Sequence, residues 1–377
     1  MNRTDRSGLA RPPQSPGPPF TADVALLARL EEAVPGGVTG RSSDPLSFAH
    51  DASHHLLVPQ AVVTSRETGQ VAALPATAAA HDLSLTFRSG GTSLSGQATG
   101  DGILVDTRRN FRDIEALDDG ARARVQPGAT ARVVNIRLAR HGRKLGPDPA
   151  GEAACTIGGV VANNSSGMAC GTEANTYRTL ESAVLVLPSG TVLDTAAPDA
   201  DDRLRALEPG LHAGLAQLRD RVRGNPASLR TIEKLYSIKN TMGLGVNSFV
   251  DHTRPVEILL RLTIGSEGTL AFVTEATFRT VPAHPYAATA LLFFPELAAA
   301  IGSLPDLVEA GFDTVELLDA ASLRVAQRDP RAVPAARAAR GHRPGQTARR
   351  RCLLVHRRTG PLAHRQLPAG PRRGGVR

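Results

Sequence analysis

The sequence of 377 residues contains no tryptophan, and aromatic residues make up only 3% of it. Its core must therefore be built mainly from alanine, valine and leucine. Long apolar runs are also missing, because no stretch reaches the roughly eighteen uninterrupted apolar residues that a membrane-spanning helix needs. The nearest approach is broken by Pro295 and Glu296. We therefore expect a globular protein without a membrane span, long enough for two domains.

Cysteine is scarce as well. The sequence contains only Cys155, Cys170 and Cys352. These are too few and too scattered for a disulfide framework or a four-cysteine metal site, so we expect no bound metal and a reducing cytoplasm. Residues 1–20 lack the apolar core of a secretory signal and are rich in proline and serine, which predicts a disordered leader. Residues 21–50 are predicted to form an N-terminal helical segment, with Thr21 as the N-cap of a helix.

The net charge of +8 is unevenly distributed. Residues 328–377 contain 14 arginines, no lysine and one acid, a charge of +13, which leaves −5 for residues 1–327. Such a tail can bind RNA or a membrane surface. However, no aromatic residues interleave its arginines as stacking platforms, and its composition resembles GC-rich coding sequence translated in a shifted frame. We therefore predict a disordered Arg/Pro/Ala-rich tail without specific function and no nucleic-acid partner.

Hydrophobic patterning before the tail mixes helices with antiparallel hairpins. A short helix is predicted over "TGQVAALPATAAAHD", and an amphipathic helix that ends at Gly142 is predicted over "TARVVNIRLARHG". Hairpins are predicted to turn at Asp119-Gly120 and around Ser189. The stretch "PVEILLRLTIGSEGTLAFVTEATFRTVP" is predicted to be rich in strands, and a strand–helix–strand unit follows it. This mixture predicts an α+β fold rather than a doubly wound parallel sheet.

A glycine-rich stretch, "RSGGTSLSGQ", occupies residues 88–97 (the first segment) after a predicted strand. Another strand follows it, and it contains neither G-x-G-x-x-G nor a Walker A lysine, so Rossmann and P-loop sites are excluded. Its consecutive N–H groups, with the hydroxyls of Ser89, Thr92 and Ser93, can converge on an anion. Taken alone, a flexible surface loop is an equally good interpretation.

Two further stretches favour the anion-binding interpretation. Residues 155–172 (the second segment), "CTIGGVVANNSSGMACGT", again combine paired glycines with Asn and Ser, after the rigid turn "LGPDP". Their amides suit a flat ring rich in heteroatoms, and two such loops fit a large dinucleotide. Residues 264–275 (the third segment), "IGSEGTLAFVTE", are predicted to end one strand and to continue into another.

In this order and spacing, "FRSGGTSLSGQ", "TIGGVVANNSSG" and "IGSEGTL" resemble the FAD-binding domain of the vanillyl-alcohol-oxidase (p-cresol methylhydroxylase) type. The sequence is most similar to the branch of FAD-linked D-lactate, glycolate and D-2-hydroxyglutarate dehydrogenases. In addition, "IKNTMGLGVNSFVD" is similar to a segment beside the flavin ring in bacterial D-lactate dehydrogenases with a fused iron–sulfur region. The resemblance implies a two-subdomain FAD-binding domain over residues 51–284 and an incomplete α+β cap, or substrate, domain over residues 285–327.

The resemblance also implies three groups of FAD-binding residues. The group around the pyrophosphate is Arg88, Ser89, Gly90, Gly91, Thr92, Ser93, Gly96 and Gln97. The group along the ribityl chain and isoalloxazine is Pro147, Asp148, Thr156, Gly158, Gly159, Ala162, Asn163 and Gly167. The group near the adenine and pyrophosphate is Glu267, Gly268 and Val273. Relatives with a tethered flavin carry histidine where Thr92 stands, so noncovalent FAD is implied, while Tyr177-Arg178 departs from the aromatic–glycine pair of many relatives.

The implied function is an FAD-dependent dehydrogenase of the D-lactate type, which transfers hydride from a small 2-hydroxy acid to FAD and passes electrons to an unidentified acceptor. In this family the base and carboxylate-binding groups come from the cap and from a His-x-Gly-Asp-Gly-Asn-x-His segment that this sequence does not contain. We therefore assign no catalytic residue and expect weak or absent turnover, with a frameshift near residue 327 as one explanation. The alternative is a protein that binds flavin without turnover.

Five other residues each have a functional and a structural interpretation. His54 and His55 could bind a metal, but neighbouring residues of a strand point to opposite faces, which favours a structural role. Cys155 and Cys170 could form a redox pair, but they lack the C-x-x-C spacing and suit packing. Lys239 could bind a substrate carboxylate, whereas most lysines in such loops are only solvated.

Overall fold

The computed structural model describes residues 23–39, 43–328 and 351–359. The predicted leader and Thr21 lie outside these residues. The first helix begins at Val24, and its N-cap is Asp23, whose Oδ1 accepts a hydrogen bond of 2.9 Å from the Ala25 N–H. The prediction of Thr21 as this N-cap is therefore wrong: a short carboxylate side chain directly before the helix satisfies one of its exposed N-terminal amides.

Helices and strands alternate along most of the described chain. The helices are α1 (Val24–Ala33), α2 (Ser43–Ser47), α3 (Thr68–Ala80), α4 (Ala131–Leu138), α5 (Ile157–Ala162), α6 (Thr176–Thr179), α7 (Ala200–Leu207), α8 (Pro209–Arg223), α9 (Pro226–Tyr236), α10 (Ser248–Asp251), α11 (Pro255–Thr263), α12 (Leu297–Gly302), α13 (Leu304–Glu309) and α14 (Ala320–Arg328). The strands are β1 (Ala61–Val63), β2 (Leu85–Arg88), β3 (Ile103–Asp106), β4 (Ile114–Leu117), β5 (Arg122–Val125), β6 (Arg143–Lys144), β7 (Leu180–Val186), β8 (Val192–Asp194), β9 (Phe272–Arg279), β10 (Val281–Pro282), β11 (Tyr286–Phe294), β12 (Thr314–Leu318) and β13 (Arg351–Thr359).

Two sheets with separate cores form the body of the protein. In the first, β1, β3 and β2 pair in parallel, and α1 and α3 contribute Leu30 and Leu74 to the core beneath them. In the second, five antiparallel strands lie in the order β4-β5-β9-β7-β8, and α4, α7, α8 and α11 contribute to their core. The α+β fold class predicted from the patterning is confirmed.

Aromatic side chains join the two sheets. The ring of Phe87, at the end of β2, stacks on that of Phe272, at the start of β9, with 4.5 Å between centroids. Phe111 meets Phe272 edge-on at 5.9 Å. Because aromatic residues are so few in this sequence, this cluster uses a large share of them at one place: the junction where β2 leads into the first segment.

Both predicted hairpins are present. The turn between β4 and β5 places Asp119 and Gly120 at φ 53° and 83°, and the turn between β7 and β8 places Gly190 at φ 86°. These left-handed conformations suit Gly, Asp and Asn, which is why the turn residues predicted the hairpins. The amphipathic helix α4 continues into a short 3-10 turn and stops at Gly142, at φ 63°, as predicted.

The stretch predicted to be strand-rich begins instead with a helix. Residues 255–263 form α11, with Pro255 in its first turn and the Glu257 side chain accepting a hydrogen bond from the Arg254 N–H. Val256 and Leu259 are buried on its inner face. A short apolar run is compatible with a buried helix as well as a strand, and this one has the proline and acid of a helix N-terminus. The third segment therefore follows a helix, not a strand.

The C-terminal unit contains a three-stranded sheet in the order β11-β13-β12. The backbone of β13 is the central strand and pairs antiparallel with both neighbours. The prediction that residues 328–377 are disordered is therefore wrong for residues 351–359: the short apolar run in "CLLVH" gives this part of the tail a strand character that its overall composition hides. Residues 329–350 and 360–377 lie outside the described part. None of the described helices is long and apolar enough to cross a membrane.

Candidate functional site

A cavity of about 750 Å³ opens between the two sheets, where the three glycine-rich segments meet. Most of the predicted cofactor residues line it. They are Ser89, Gly90, Gly91, Thr92, Ser93, Gly96, Gln97, Thr156, Gly158, Gly159, Ala162, Asn163, Glu267, Gly268 and Val273. Its size lies within the range of roughly 300–1,000 Å³ that is usual for ligand sites. Arg88, Pro147, Asp148 and Gly167 do not line the cavity.

Two charged side chains that do not line the cavity, those of Asp51 and Arg88, stabilise the first segment. Asp51 accepts hydrogen bonds from the N–H groups of Ser53 (2.7 Å) and of Ala98 (3.3 Å), the residue directly after the segment. Burial alone would raise the pKa of the Asp51 carboxyl, but these hydrogen bonds and the charge of Arg88 outweigh it, so the pKa is lowered. Arg88 itself donates to the Phe48 carbonyl at 3.0 Å, beneath the segment. Arg88 therefore supports the loop instead of facing the cavity.

The second segment begins with helix α5, which the sequence did not predict. The helix is preceded by Thr156, which lines the cavity and is buried, at 1% exposed. Its Oγ1 has no hydrogen-bond partner among the described residues. A buried hydroxyl without a partner is costly, so this atom indicates a ligand that can hydrogen-bond to it.

Close packing between the first and second segments requires glycine. A Cβ at Gly90 would lie 2.7 Å from the Ala154 carbonyl oxygen, and one at Gly158 would lie 2.8 Å from Pro127. By contrast, a Cβ at Gly268 would meet no described atom within 4 Å, although this residue lines the cavity. The absent side chain at Gly268 therefore leaves open space on the cavity wall, as a close-fitting ligand requires.

The third segment is attached to the end of α5 by backbone hydrogen bonds. The Gly265 N–H donates to Val161 O at 3.0 Å, and the Glu267 N–H donates to Ala162 O at 2.8 Å. Glu267 adopts a left-handed conformation, at φ 53°, and its Oε1 accepts a hydrogen bond of 2.9 Å from Asn163 Nδ2. The side chain of Glu267 thus joins the second and third segments across the cavity wall.

Asp148 and Gly167 pack against each other outside the cavity. A Cβ at Gly167 would lie 2.0 Å from the Asp148 carbonyl oxygen, and the Asp148 N–H donates to Ser166 O at 2.8 Å. Lys239 Nζ donates a hydrogen bond to Gly167 O. Lys239 therefore contacts the second segment through its backbone, an interaction that neither sequence interpretation included. Pro147, next to Asp148, is buried.

The remaining candidates have structural surroundings. Cys155 and Cys170 are free, buried thiols, and burial raises the pKa of each. The ring of His55 packs on Gly96 of the first segment, where a Cβ would lie 2.5 Å from it. Across residues 23–39, 43–328 and 351–359, no three His, Cys, Asp or Glu side chains form a group that could hold a metal ion.

The sequence analysis missed several residues of the cavity wall. Phe87 and Phe272, the stacked pair, line the cavity, as do Pro127, Thr263 and Ser266. The position of Phe87 immediately before the first segment, and of Phe272 inside the third, was a usable signal in a chain with so few aromatic residues. Thr263 and Ser266 could not be placed because α11 was predicted to be a strand.

Comparison with known proteins agrees with the chemistry of this site. A family model described as "FAD binding domain" matches residues 59–196. D-2-hydroxyglutarate dehydrogenase of Haemophilus influenzae is 28% identical over 312 residues, which cover 78% of this chain and 29% of that protein. Glycolate oxidase subunit GlcD of Escherichia coli is 27% identical over 311 residues, which cover 81% of this chain and 52% of that protein. D-lactate dehydrogenase of Archaeoglobus fulgidus is 27% identical over 247 residues, which cover 63% of this chain and 43% of that protein.

The fold has a counterpart among solved structures. The structure of alkyldihydroxyacetonephosphate synthase superposes with a TM-score of 0.63 at 15% identity, covering 92% of this chain and 58% of that one. This likeness establishes the shared fold. The chain spans about a third or less of the D-2-hydroxyglutarate dehydrogenases that it matches, 29% and 31% of two of them. It contains an FAD-binding domain, as the resemblance implied.

Proposed function

We propose that this protein is an oxidoreductase that holds FAD noncovalently in the cavity between its two sheets and oxidises a small 2-hydroxy acid. The observation that carries the proposal is the convergence of the three glycine-rich segments on one cavity, which is also lined by Thr156, a residue whose buried hydroxyl has no partner among the described residues. The similarity to D-2-hydroxyglutarate, glycolate and D-lactate enzymes supports the substrate class. The scattered cysteines favour a reducing cytoplasm as its location.

The residues of the cavity have separable tasks in this proposal. The backbone amides of the first segment face the pyrophosphate, with Asp51 and Arg88 fixing the loop from behind. The Thr156 hydroxyl hydrogen-bonds to the cofactor, and the stacked rings of Phe87 and Phe272 keep water from the floor of the cavity. Bound FAD supplies a hydride acceptor for the α-carbon of the substrate.

Noncovalent attachment rests on Thr92. This residue lines the cavity within the first segment, at the position where relatives with a tethered flavin carry histidine. A threonine hydroxyl is a poor nucleophile unless a neighbouring base activates it. We therefore expect FAD to be released intact when the protein unfolds.

The experiment is anaerobic mixing of the FAD-loaded protein with D-2-hydroxyglutarate, D-lactate or glycolate, with L-lactate as the stereochemical control. Slow bleaching of the oxidised-flavin absorbance by a D-hydroxy acid, in keeping with the weak turnover expected from the sequence, and its return when a dye acceptor is added, is the expected result. Bound flavin that none of the three acids bleaches would instead identify a protein that binds flavin without turnover. Failure to bind FAD at all would contradict the proposal as a whole.

A further inference from the structure

The outer face of helix α4 combines arginines with apolar side chains. The inner face contributes Val134 and Leu138 to the core beneath the second sheet, whereas Val133 and Ile136 are 41% and 59% exposed. The exposed arginines of the helix and of the turn that follows it are Arg132, Arg137 and Arg140. Protein–protein interfaces are enriched in arginine and bury apolar side chains. The outer face of α4 therefore has the composition of an interface.

Three further exposed arginines lie beside α4, on the loop that follows β3. They are Arg108, Arg109 and Arg112. The loop is attached to the chain that leads into α4, because the Gly128 N–H donates a hydrogen bond of 2.7 Å to Phe111 O. From the helix, the Arg137 guanidinium donates to Ile114 O, just beyond the loop, at 3.2 Å. We refer to the six exposed arginines and the two exposed apolar residues as the arginine surface.

The arginine surface differs in charge from the rest of the protein. Residues 106–113 and 129–144 contain eight basic residues and two acids, a charge of +6, whereas residues 1–327 together carry −5. One of the two acids, Asp106, is buried and pairs with Arg109 at 3.2 Å. A third acid, the half-buried Glu152, adjoins the first turn of α4 and lowers the local charge by one. A basic surface on an otherwise acidic protein attracts an acidic partner and speeds its association.

The arginine surface adjoins the wall of the large cavity. Backbone hydrogen bonds join the start of α4 to the second segment, from the Ala131 N–H to Cys155 O at 3.2 Å and from the Ile157 N–H to Ala129 O at 2.9 Å. Cys155 lines the cavity, and so does Thr107, which directly precedes the first of the six arginines. A protein bound at the arginine surface is therefore close to whatever the cavity holds.

We propose that the arginine surface docks an acidic redox protein, which accepts the electrons of the reduced flavin. The proposal rests on the proposed function for the flavin and adds the class of electron acceptor. Two molecules of a one-electron acceptor take up the two electrons of one fully reduced, neutral flavin, and two protons pass from that flavin to water. The arginines attract the acceptor, and Val133 and Ile136 become buried when it binds. Electron-transfer interfaces are small, so a surface of this size is sufficient.

The test uses two forms of one acceptor. Cytochrome c with succinylated lysines carries a carboxylate in place of each ammonium group and is acidic, whereas unmodified cytochrome c is basic. Binding of each form to the full chain is measured by surface plasmon resonance over a range of salt concentrations. We expect the acidic form to bind and its affinity to fall as salt is added, with little binding of the basic form.

A triple replacement of arginine tests the charge. Arg112→Gln, Arg132→Gln and Arg140→Gln together should weaken binding of the acidic form about tenfold, mainly through slower association, because each exposed charge pair contributes only a little. The matched control replaces three exposed arginines of α7, α8 and α9 and should change the affinity little: Arg203→Gln, Arg221→Gln and Arg230→Gln. Residues 328–377 are identical in both variants, so the arginines of this tail do not affect the comparison.

A single replacement tests the apolar part. Ile136→Ser should weaken binding of the acidic form about fivefold through faster dissociation, with the salt dependence unchanged, because the apolar area buried on binding is reduced. Leu218→Ser on α8, where the leucine is 43% exposed, is the control and should bind as the parent does. An Ile136→Ser variant that binds as tightly as this control would exclude α4 from the interface.

Electron transfer is measured separately. The FAD-loaded protein is reduced with one equivalent of dithionite and mixed anaerobically with the acidic cytochrome at low concentration, where the triple arginine variant should react about tenfold more slowly than the control triple variant. Equal rates for the two triple variants would overturn the proposal, as would a parent rate that does not fall with salt. Arginine-dependent binding to phosphatidylserine vesicles, without binding of the acidic cytochrome, would assign the surface to a membrane and also overturn it.

Binding is measured on both FAD-loaded and FAD-free protein, which separates the two proposals. Protein that fails to take up FAD contradicts the proposed function and with it the electron-accepting role of the partner. Protein that takes up FAD but binds the acidic cytochrome equally well in both triple variants contradicts only the docking surface. The substituted arginines are all exposed, so the variants should fold as the parent does, and far-UV circular dichroism checks this.

Discussion

The first and second glycine-rich segments have similar compositions but are held in place by different forces. The first remains an irregular loop, supported by the carboxylate of Asp51 and the guanidinium of Arg88. The second folds partly into α5 and is fixed by close backbone contact between Gly167 and Asp148. Glycines allow close contact in both segments, at Gly90 in the first and at Gly167 in the second, but the contact at Gly167 is the tighter of the two.

This difference predicts that added bulk damages the second segment most. Gly167→Ala should lower the free energy of unfolding by about 3 kcal/mol or more, because its Cβ would lie 2.0 Å from Asp148 O at φ 78°. The matched control is Gly171→Ala, at φ 53°, where a Cβ meets no described atom within 4 Å. It should cost only about 1 kcal/mol, the left-handed strain alone. Similar unfolding midpoints in urea for the two variants would show that this contact is not tight.

In the first segment, bulk should impair ligand binding more than folding. Gly91→Val places a β-branched side chain at φ 63°, beside the Arg88 guanidinium at 3.0 Å. We expect FAD affinity to fall about thirtyfold, which corresponds to about 2 kcal/mol, because the backbone is strained and the added side chain keeps it away from the cofactor. Gly69→Val on α3, where a Cβ meets no described atom within 4 Å, is the control for the same substitution. Titrations that follow the quenching of flavin fluorescence measure the FAD affinity of both variants. Unchanged affinity in Gly91→Val would exclude this segment from the cofactor site.

Removing charge should affect the first segment in a pH-dependent way. The folded protein lowers the pKa of Asp51 below its ordinary value of 3.8, so the ionised carboxylate stabilises the fold above that pH and the stabilisation is lost as pH falls below it. Asp51→Asn should therefore lower the free energy of unfolding by about 1–2 kcal/mol near neutral pH. The difference from the parent should shrink in acid. Asp202→Asn, an exposed acid, should change little. An Asp51→Asn effect that is constant across pH would contradict this role.

The smallest effect is expected at Thr156. Thr156→Val removes a buried hydroxyl without a partner in the described structure, so the free energy of unfolding should stay the same or rise slightly. FAD affinity should fall about fivefold, the value of one neutral hydrogen bond. Thr156→Ser retains the hydroxyl and should retain the affinity. If Thr156→Val binds FAD as tightly as Thr156→Ser does, the hydroxyl does not contact the cofactor.

The same comparison explains how much could be predicted from the sequence. Paired glycines with serine and asparagine, repeated in two segments, predicted a shared binding site, and both segments line the cavity. The turns at Gly120 and Gly190 were predictable for the same local reason. Hydrogen bonds between residues that are distant in sequence could not be predicted. Asp51 accepts a hydrogen bond from Ala98, but the two residues lie far apart in the sequence and no local pattern links them.

Two errors have a common physical origin. The helix α11 was predicted to be a strand, because an apolar run such as "VEILLRL" fits both structures when it is buried. The strand β13 was predicted to be disordered, because composition averaged over the tail hides a short apolar run. The buried side-chain oxygens of Asn164 and Asn247 have no hydrogen-bond partner among the described residues, which could not be predicted at all because it depends on the whole packed surroundings.

The central claim is that the cavity between the two sheets holds FAD without a covalent bond, and the most direct test is a measurement of bound flavin. The purified chain is incubated with FAD, freed of excess by gel filtration and precipitated with acid, and flavin is quantified in supernatant and pellet. We predict FAD in equal molar amount to the chain, all of it in the supernatant. A chain that retains no FAD after gel filtration, or flavin that stays with the precipitated polypeptide, would contradict the account.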